Sequence, residues 1–286
     1  MAAAPRAARP ADVPVQVYTP QRLRLPAPRT YLADLWARRR FALELARTEL
    51  RASNTGTLLG QLWLVLNPLL LVAVYYVLVD ILRSDDRGTP FLAHLAACLF
   101  AFHLVTMAVR TGARSVTSSG KLILNTAFPR SLLPITSVLS ALVRFVPTMV
   151  VYAVLHLVAG LPVGVHLLWA LPVLAEIAVF TLGVTLLVAA LQVYVRDLTN
   201  FLPYLLRVWL YVSPILYYAD EVPARLVALL SVNPLFPLLA AWSDVLIRGH
   251  APTATHLLQG LAWALGSLVV GALFFVSRER EFAVRL

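Results

Sequence analysis

"VYVRDLTNFLPYLLRVWLYVSPILYY", residues 193–218, breaks a long apolar run at Arg196 and Asp197 and then turns apolar again. A charged pair between two greasy stretches reads as a tight turn at a membrane surface. Composition supports that reading. Hydrophobic residues make up 60% of the 286, charged residues 13%, and the mean hydropathy is +0.78. The charged share is about half of the roughly 25% usual in soluble domains. A soluble fold of this length needs more polar surface. Several apolar runs near the roughly 20 residues that a membrane-crossing helix needs point to an all-α polytopic membrane protein. The length suits one membrane domain with no separate catalytic domain.

Net charge is +10, from 24 Lys and Arg against 14 Asp and Glu, and ten arginines fall in the first 51 residues. With no separate basic domain, this charge reads as topology and anionic lipid rather than nucleic acid. The one cysteine, Cys98, lies in an apolar run, which excludes a disulfide within the chain and reads as a small buried side chain. Residues 1–30 are rich in proline and have no apolar core after Arg6 and Arg9, so they read as a flexible cytoplasmic tail and not a cleavable signal.

Residues 31–54 have helical spacing, with Leu32, Leu35, Trp36, Phe41, Leu43, Leu45 and Leu50 as the apolar set. Arg38, Arg39, Arg40, Arg47 and Arg51 supply the basic part. The pattern fits an amphipathic helix on the cytoplasmic membrane surface, or a solvated charged helix before the first span. Residues 55–286 form the membrane domain. Its spans are expected at about 60–82, 91–109, 132–159, 167–195, 200–218 and 256–277. Pro68 removes a helix hydrogen bond and predicts a kink in the first. Residues 110–131, with Arg110, Arg114, Lys121 and Arg130, read as a cytoplasmic loop.

Residues 225–247 are long enough to cross, but Pro234 and Pro237 break them and Ser231, Asn233, Ser243 and Asp244 are polar. Topology decides. Six spans put the tail, 110–131, 196–199 and 278–286 on the cytoplasmic side, where most basic residues then lie. A seventh crossing would move Arg278, Arg280 and Arg285 outside. The expectation is therefore two half-inserted helices at about 222–247, on the outer side between spans five and six. N- and C-termini are both cytoplasmic in this scheme.

A charge inside a span needs a partner or a water cavity. Arg144 lies about 18 Å along the third span and Glu176 about 14 Å into the antiparallel fourth. The depths predict an Arg144–Glu176 pair, either structural or lining a path. Trp209, Tyr75, Tyr76, Tyr217, Tyr218 and Trp242 could stack on sugar rings. Interfacial belts collect the same residues, so most are read as belt and a few as channel lining. No histidine or cysteine spacing suits a metal. His94 and His103, nine apart, face opposite sides of one helix. Asp85 and Asp86 solvate a short turn, and no Ser–His–Asp set is found.

Six features recur in one order. They are the basic amphipathic helix, "TLLGQLWLVLNPLL" (57–70), "FPRSLLP" (128–134), "VRDL" (195–198), "SPILYY" (213–218) and "NPLFPL" (233–238). Together they resemble the permease subunit of bacterial ABC-2 type exporters of lipid-linked polysaccharide, which export O-antigen, teichoic acid or cell-wall galactan. The likeness runs from about residue 40 to the C-terminus, and "RASNTGTLLG" (51–60) looks more like the actinobacterial galactan branch. It implies a homodimer in the inner membrane with a separate ATPase subunit under each copy. ATP and magnesium would sit on that partner, and the outer half-inserted helices would act as a gate. The residues agree. No G-x-x-x-x-G-K-[ST] occurs, and "SSGKLIL" (118–124) lacks both the earlier glycine and the hydroxyl after Lys121. The chain itself is thus expected to be a transport subunit with no cofactor of its own, not an enzyme.

The resemblance makes 110–131 a coupling element, with Lys121, Leu122, Ile123, Leu124 and Arg130 facing an ATPase groove; the alternative is an ordinary interfacial loop. Arg196 and Asp197 are as well suited to a plain turn as to a contact. Arginine suits phosphate, so Arg38, Arg39, Arg40, Arg47 and Arg51 are candidates for the lipid-pyrophosphate entrance. Two rivals remain. One is an ABC-2 permease for a small drug or lipid. The other is an integral membrane glycosyl- or acyltransferase, which needs an acid, base or metal cluster not found here.

Overall fold

The computed structural model describes residues 27–53, 58–83, 88–126, 128–223, 225–226 and 230–285. These are mostly helical, with no strand among the described residues. Helices α1 (Pro28–Ala37) and α2 (Arg39–Ser53) precede α3 (Trp63–Arg83) and α4 (Gly88–Ser118). A short α5 (Gly120–Asn125) leads to α6 (Leu132–Val158), α7 (Ala170–Tyr194) and α8 (Leu198–Val212). Then come α9 (Leu235–Leu246), α10 (Ala254–Arg278) and α11 (Phe282–Arg285).

Five of the helical segments are long and apolar enough to cross a membrane: Gly60–Ile81, Gly88–Ser118, Leu132–Val158, Val165–Tyr194 and Ala254–Arg285. The fifth expected span, 200–218, is shorter than read. α8 has 15 residues and ends at Ser213, whose backbone is extended. The expected surface helix 31–54 is two helices, broken at Arg38 (φ −96°, ψ 11°). The first expected half-inserted helix lies partly outside the described residues, since 224 and 227–229 are not among them. The expected tail and the turn holding Asp85 and Asp86 also lie outside them, apart from residues 27–30.

α4 is the hub. Its alanines Ala93, Ala96, Ala97, Ala101, Ala108 and Ala113 are fully buried, and their small side chains let α6, α7 and α9 close around it. α7 and α10 make the most extensive helix pair and run parallel. Glu176 lies against Gly260, Gly183 against Ser267 and Gly271, and Tyr194 against Glu281. Gly183 and Gly271 are required there. A Cβ on Gly183 would meet the backbone of Ser267 and Leu268, and one on Gly271 would meet the carbonyl of Gly183. Backbone contact of this kind is how helices associate where lipid removes the hydrophobic driving force. The turn before α3 contains Gly60 at φ 48°, the left-handed region that favours glycine.

α9 runs against α4 in the opposite direction. Trp242 Nε1 donates to the carbonyl of Ala97 at 3.2 Å, and Ser243 Oγ meets His94 Nδ1 at 2.8 Å. All twelve α9 residues are buried, which suits a helix enclosed by protein rather than facing lipid.

Candidate functional site

Two regions bring together side chains able to bind or transmit: a polar cleft within the bundle, and a set of contacts at the end that holds α1 and α5.

The cleft lies between α3, α4 and α8. α4 continues through Ser118, so Arg110 and Arg114 sit on helix and not in the loop expected for 110–131. They are one turn apart and exposed on a helix that is otherwise mostly buried. With Asn67, His103, Thr111 and Thr199 they line a cavity of about 380 Å³. Among the described residues no carboxylate lines it. Asn67, His103 and Met107 also wall a smaller space of about 70 Å³ that reaches Trp63, Thr148 and Arg144. Two prolines shape these walls. Pro68 has no N–H for the carbonyl of Leu64, nor Pro203 for that of Thr199, and both carbonyl-bearing residues line the cavities. On α8, Thr199, Pro203, Arg207 and Tyr211 recur at every fourth position and share one face. Arg207 is exposed there, and Tyr211 meets Tyr75 edge-to-face at 6.4 Å.

The structure does not bring Arg144 and Glu176 together. Arg144 faces α3 and α4, while Glu176 lies against Gly260 of α10 with Oε2 buried and without a hydrogen-bond partner. Rise per residue predicts similar depths, but the helices present these residues to different neighbours.

At the end of the bundle that holds α1 and α5, Glu279 joins three segments. The Tyr31 hydroxyl of α1 donates to Glu279 Oε2 at 2.7 Å. The backbone N–H of Arg130 donates to Glu279 Oε1, and the Arg130 guanidinium donates to the Glu279 carbonyl. Tyr31 also lies 2.7 Å from Ser131 Oγ. Burial, and next the Glu279 carboxylate, raise the Tyr31 pKa above its ordinary 10.0. Beside this clasp, Ile123 of α5 is buried in a cluster with Leu133, Ala189, Phe275 and Phe282. Lys121 and Leu124 stay exposed and Leu122 half-buried, so α5 is anchored by one side and presents the other. Arg196 and Asp197 are exposed in the α7–α8 turn, where Gln192 Nε2 donates to the Arg196 carbonyl at 2.8 Å.

The surface arginines divide. Arg39 donates to the Trp36 carbonyl at 2.8 Å and covers the Trp36 ring, and Arg47 pairs with Glu44 at 2.7 Å. Arg40 is exposed, Arg38 lines an open cleft of about 750 Å³ with Tyr31 and Glu279, and the Arg51 side chain lies outside the described residues. α2 meets α6, with Ala42 and Ala46 buried, while Leu32, Trp36, Phe41 and Leu43 stay exposed.

The aromatic candidates also separate. Trp242 is buried in the core with Phe145, and its ring is thereby removed from any open channel wall in this chain. Trp209 packs on Phe180 and donates to Asn233 Oδ1 at 2.7 Å. The same oxygen accepts the Leu235 N–H at 3.0 Å, while Asn233 Nδ2 donates to Ser213 Oγ at 3.0 Å. Asn233 thus ties the foot of α9 to the end of α8. Tyr218 packs on His94 and Phe91, Tyr217 donates to the Val212 carbonyl at 2.9 Å, and Tyr76 is half-buried against the main core. Among the described residues no group of three His, Cys, Asp or Glu converges as a metal would require.

No family model matches the chain. Curated relatives do. An O-antigen export system permease protein RfbA of Myxococcus xanthus is 29% identical over 256 residues, 87% of this chain and 96% of that protein. One of the same name from Klebsiella pneumoniae is 27% identical over 220 residues, 77% of this chain and 82% of that protein. A second from Klebsiella pneumoniae is 25% identical over the same shares. These relatives bear out the resemblance to permeases of ABC-2 type polysaccharide exporters. With the long apolar helices, they support a multi-pass membrane protein that serves as a transport subunit.

Proposed function

We propose that the chain is the channel-forming permease subunit of an ATP-driven exporter that moves a polyprenyl-pyrophosphate-linked polysaccharide, a cell-wall galactan, across the bacterial inner membrane. It acts as a homodimer over two copies of an ATPase subunit, which holds the ATP and magnesium. Each copy crosses the membrane six times, with α8 and the following segment through Tyr218 making the fifth crossing, and both termini are cytoplasmic. α9 is one of two half-inserted helices forming the outer gate. Arg38, Arg39, Arg40, Arg47 and Arg51 gather the anionic lipid at the surface. Lys121, Leu124, Arg130, Arg196 and Asp197 meet the ATPase, and Leu122 and Ile123 carry its motion into the bundle.

The observation that carries this reading is the similarity to O-antigen export permeases along 77–87% of the chain. The cytoplasmic end supports the coupling role, because α5 is anchored by Ile123 beside a clasp that joins α1, Arg130 and the end of α10. The test is co-purification with a candidate ATPase subunit, followed by ATP hydrolysis in lipid bilayers. A two-plus-two complex that hydrolyses ATP and moves labelled lipid-linked polysaccharide is expected. A folded chain that binds no ATPase subunit would remove the exporter reading.

A further inference from the structure

We propose that the cleft between α3, α4 and α8 is the subsite that takes the pyrophosphate head of the lipid-linked substrate, with Arg110 and Arg114 as its ligands. The proposal rests on the exporter reading for the identity of the lipid, and on the geometry of the cleft for the place.

Arg110 and Arg114 stand at i and i+4, which sets their Cβ atoms about 6 Å apart on one helix face. Two neighbouring guanidinium forks at that spacing match a ligand with two adjacent phosphoryl groups better than one with a single phosphate. The described residues put no carboxylate on the cleft wall to neutralise them. Thr199 adds a hydroxyl donor and Asn67 an amide, while the Thr111 hydroxyl already donates to the Met107 carbonyl at 2.8 Å. Both arginines are exposed at the wall of the cleft, where a bound pyrophosphate would offset their like charge.

The surroundings suit the rest of such a lipid. Outside the cleft, α3 leaves Leu70, Leu71, Val74 and Val77 exposed, an apolar flank along which a polyprenyl tail can lie. The smaller space that shares Asn67, His103 and Met107 as walls reaches Arg144, and the α8 face carries Arg207 and then Tyr211 against Tyr75. The cationic positions thus continue past the head-group subsite, and ring faces follow them. Arg38, Arg39 and Arg40 lie at the junction of α1 and α2, outside this cleft.

The test uses the full chain in neutral phosphatidylcholine nanodiscs and a fluorescent polyprenyl pyrophosphate as probe. Polyprenyl alcohol of the same length, inorganic pyrophosphate and phosphatidylglycerol serve as competitors. The expected result is that the pyrophosphate probe binds, inorganic pyrophosphate competes, and the alcohol and phosphatidylglycerol compete weakly. Arg110→Gln with Arg114→Gln weakens binding by about tenfold or more, since two charge-assisted contacts are lost. Arg110→Lys with Arg114→Lys keeps an intermediate affinity, because charge remains without the fork. Both arginines are exposed, so an unchanged melting temperature accompanies these effects. Thr199→Val, on the opposite wall, gives a smaller loss without removing charge. Native affinity in the glutamine variant would overturn the proposal, as would equal competition by the alcohol or by phosphatidylglycerol. The two readings fail separately. A chain that binds an ATPase subunit but shows no arginine-dependent probe binding overturns the subsite alone. A chain that binds the probe through Arg110 and Arg114 without an ATPase partner upholds the subsite and removes the exporter.

Discussion

The hydroxyl of Tyr31 donates to Glu279 Oε2 at 2.7 Å across 248 positions of sequence, and so holds the first described helix to the end of the last long one. A hydrogen bond to a charged group contributes about 1.5–3 kcal/mol. Tyr31→Phe removes it and leaves the packing of the ring. The expected result is faster tryptic cleavage at Arg38–Arg40, by about tenfold, with membrane insertion unchanged. Glu279→Ala also removes the acceptor of the Arg130 N–H, so its effect is larger. Because burial and Glu279 raise the Tyr31 pKa above 10.0, the hydroxyl keeps its proton through the range where free tyrosine ionises. Its stabilisation is fully present below the unfolded pKa and fades only as pH rises through the higher folded one. Protection from trypsin should therefore stay level between about pH 7 and 10 in the native chain.

Much of this architecture was legible in the sequence, because apolar runs of membrane length announce themselves. What hydropathy could not supply was where a helix continues past its apolar part. By hydropathy the second span ends at residue 109, because Arg110 and Arg114 are charged, yet α4 runs on to Ser118. Helical hydrogen bonding does not stop where lipid stops. Rise per residue yields an expected depth for Arg144 and Glu176. It yields no facing, which depends on how each helix is rotated by its neighbours. The break at Arg38 has neither glycine nor proline to mark it. The role of Asn233 needed the end of α8 beside it, which no local pattern contains.

The close approach of α7 and α10 depends on two missing side chains. Gly271→Val would drive a branched side chain into the Gly183 carbonyl, and Gly183→Leu would meet the backbone of Ser267. Overpacking of this kind costs about 1–3 kcal/mol. Thermal unfolding of the detergent-solubilised chain should shift to lower temperature for both. Gly266→Ala on the same helix is the control, because a Cβ there meets nothing within 4 Å. An equal shift in all three would remove the packing explanation.

Asn233 and Trp209 should couple energetically. The asparagine oxygen accepts both the Trp209 indole N–H and the Leu235 N–H, so Asn233→Ala strands two donors at once. Loss of about 1–3 kcal/mol per buried unsatisfied group is expected. Trp209→Phe removes one donor and keeps most of the ring contact with Phe180. In a double-mutant cycle read by thermal unfolding, the pair should show a coupling of about 0.5–3 kcal/mol, as residues sharing a hydrogen bond do. Strict additivity would mean that the foot of α9 is held by other contacts.

Arg144 and Glu176 make the opposite case. They carry opposite charges at similar depth, and a pairing would make either single neutral variant strongly destabilising, by about 3–5 kcal/mol. The structure instead sets Arg144 against α3 and α4 and Glu176 against α10. Glu176→Gln should then be nearly neutral or stabilising, because the buried Oε2 has no partner to lose. Arg144→Gln should act on its own. The cycle formed by the two variants should add within about 0.5 kcal/mol, the behaviour of sites without shared partners. A coupling of several times that size would mean that the two side chains meet in the membrane after all, and that α6 and α7 rotate to allow it.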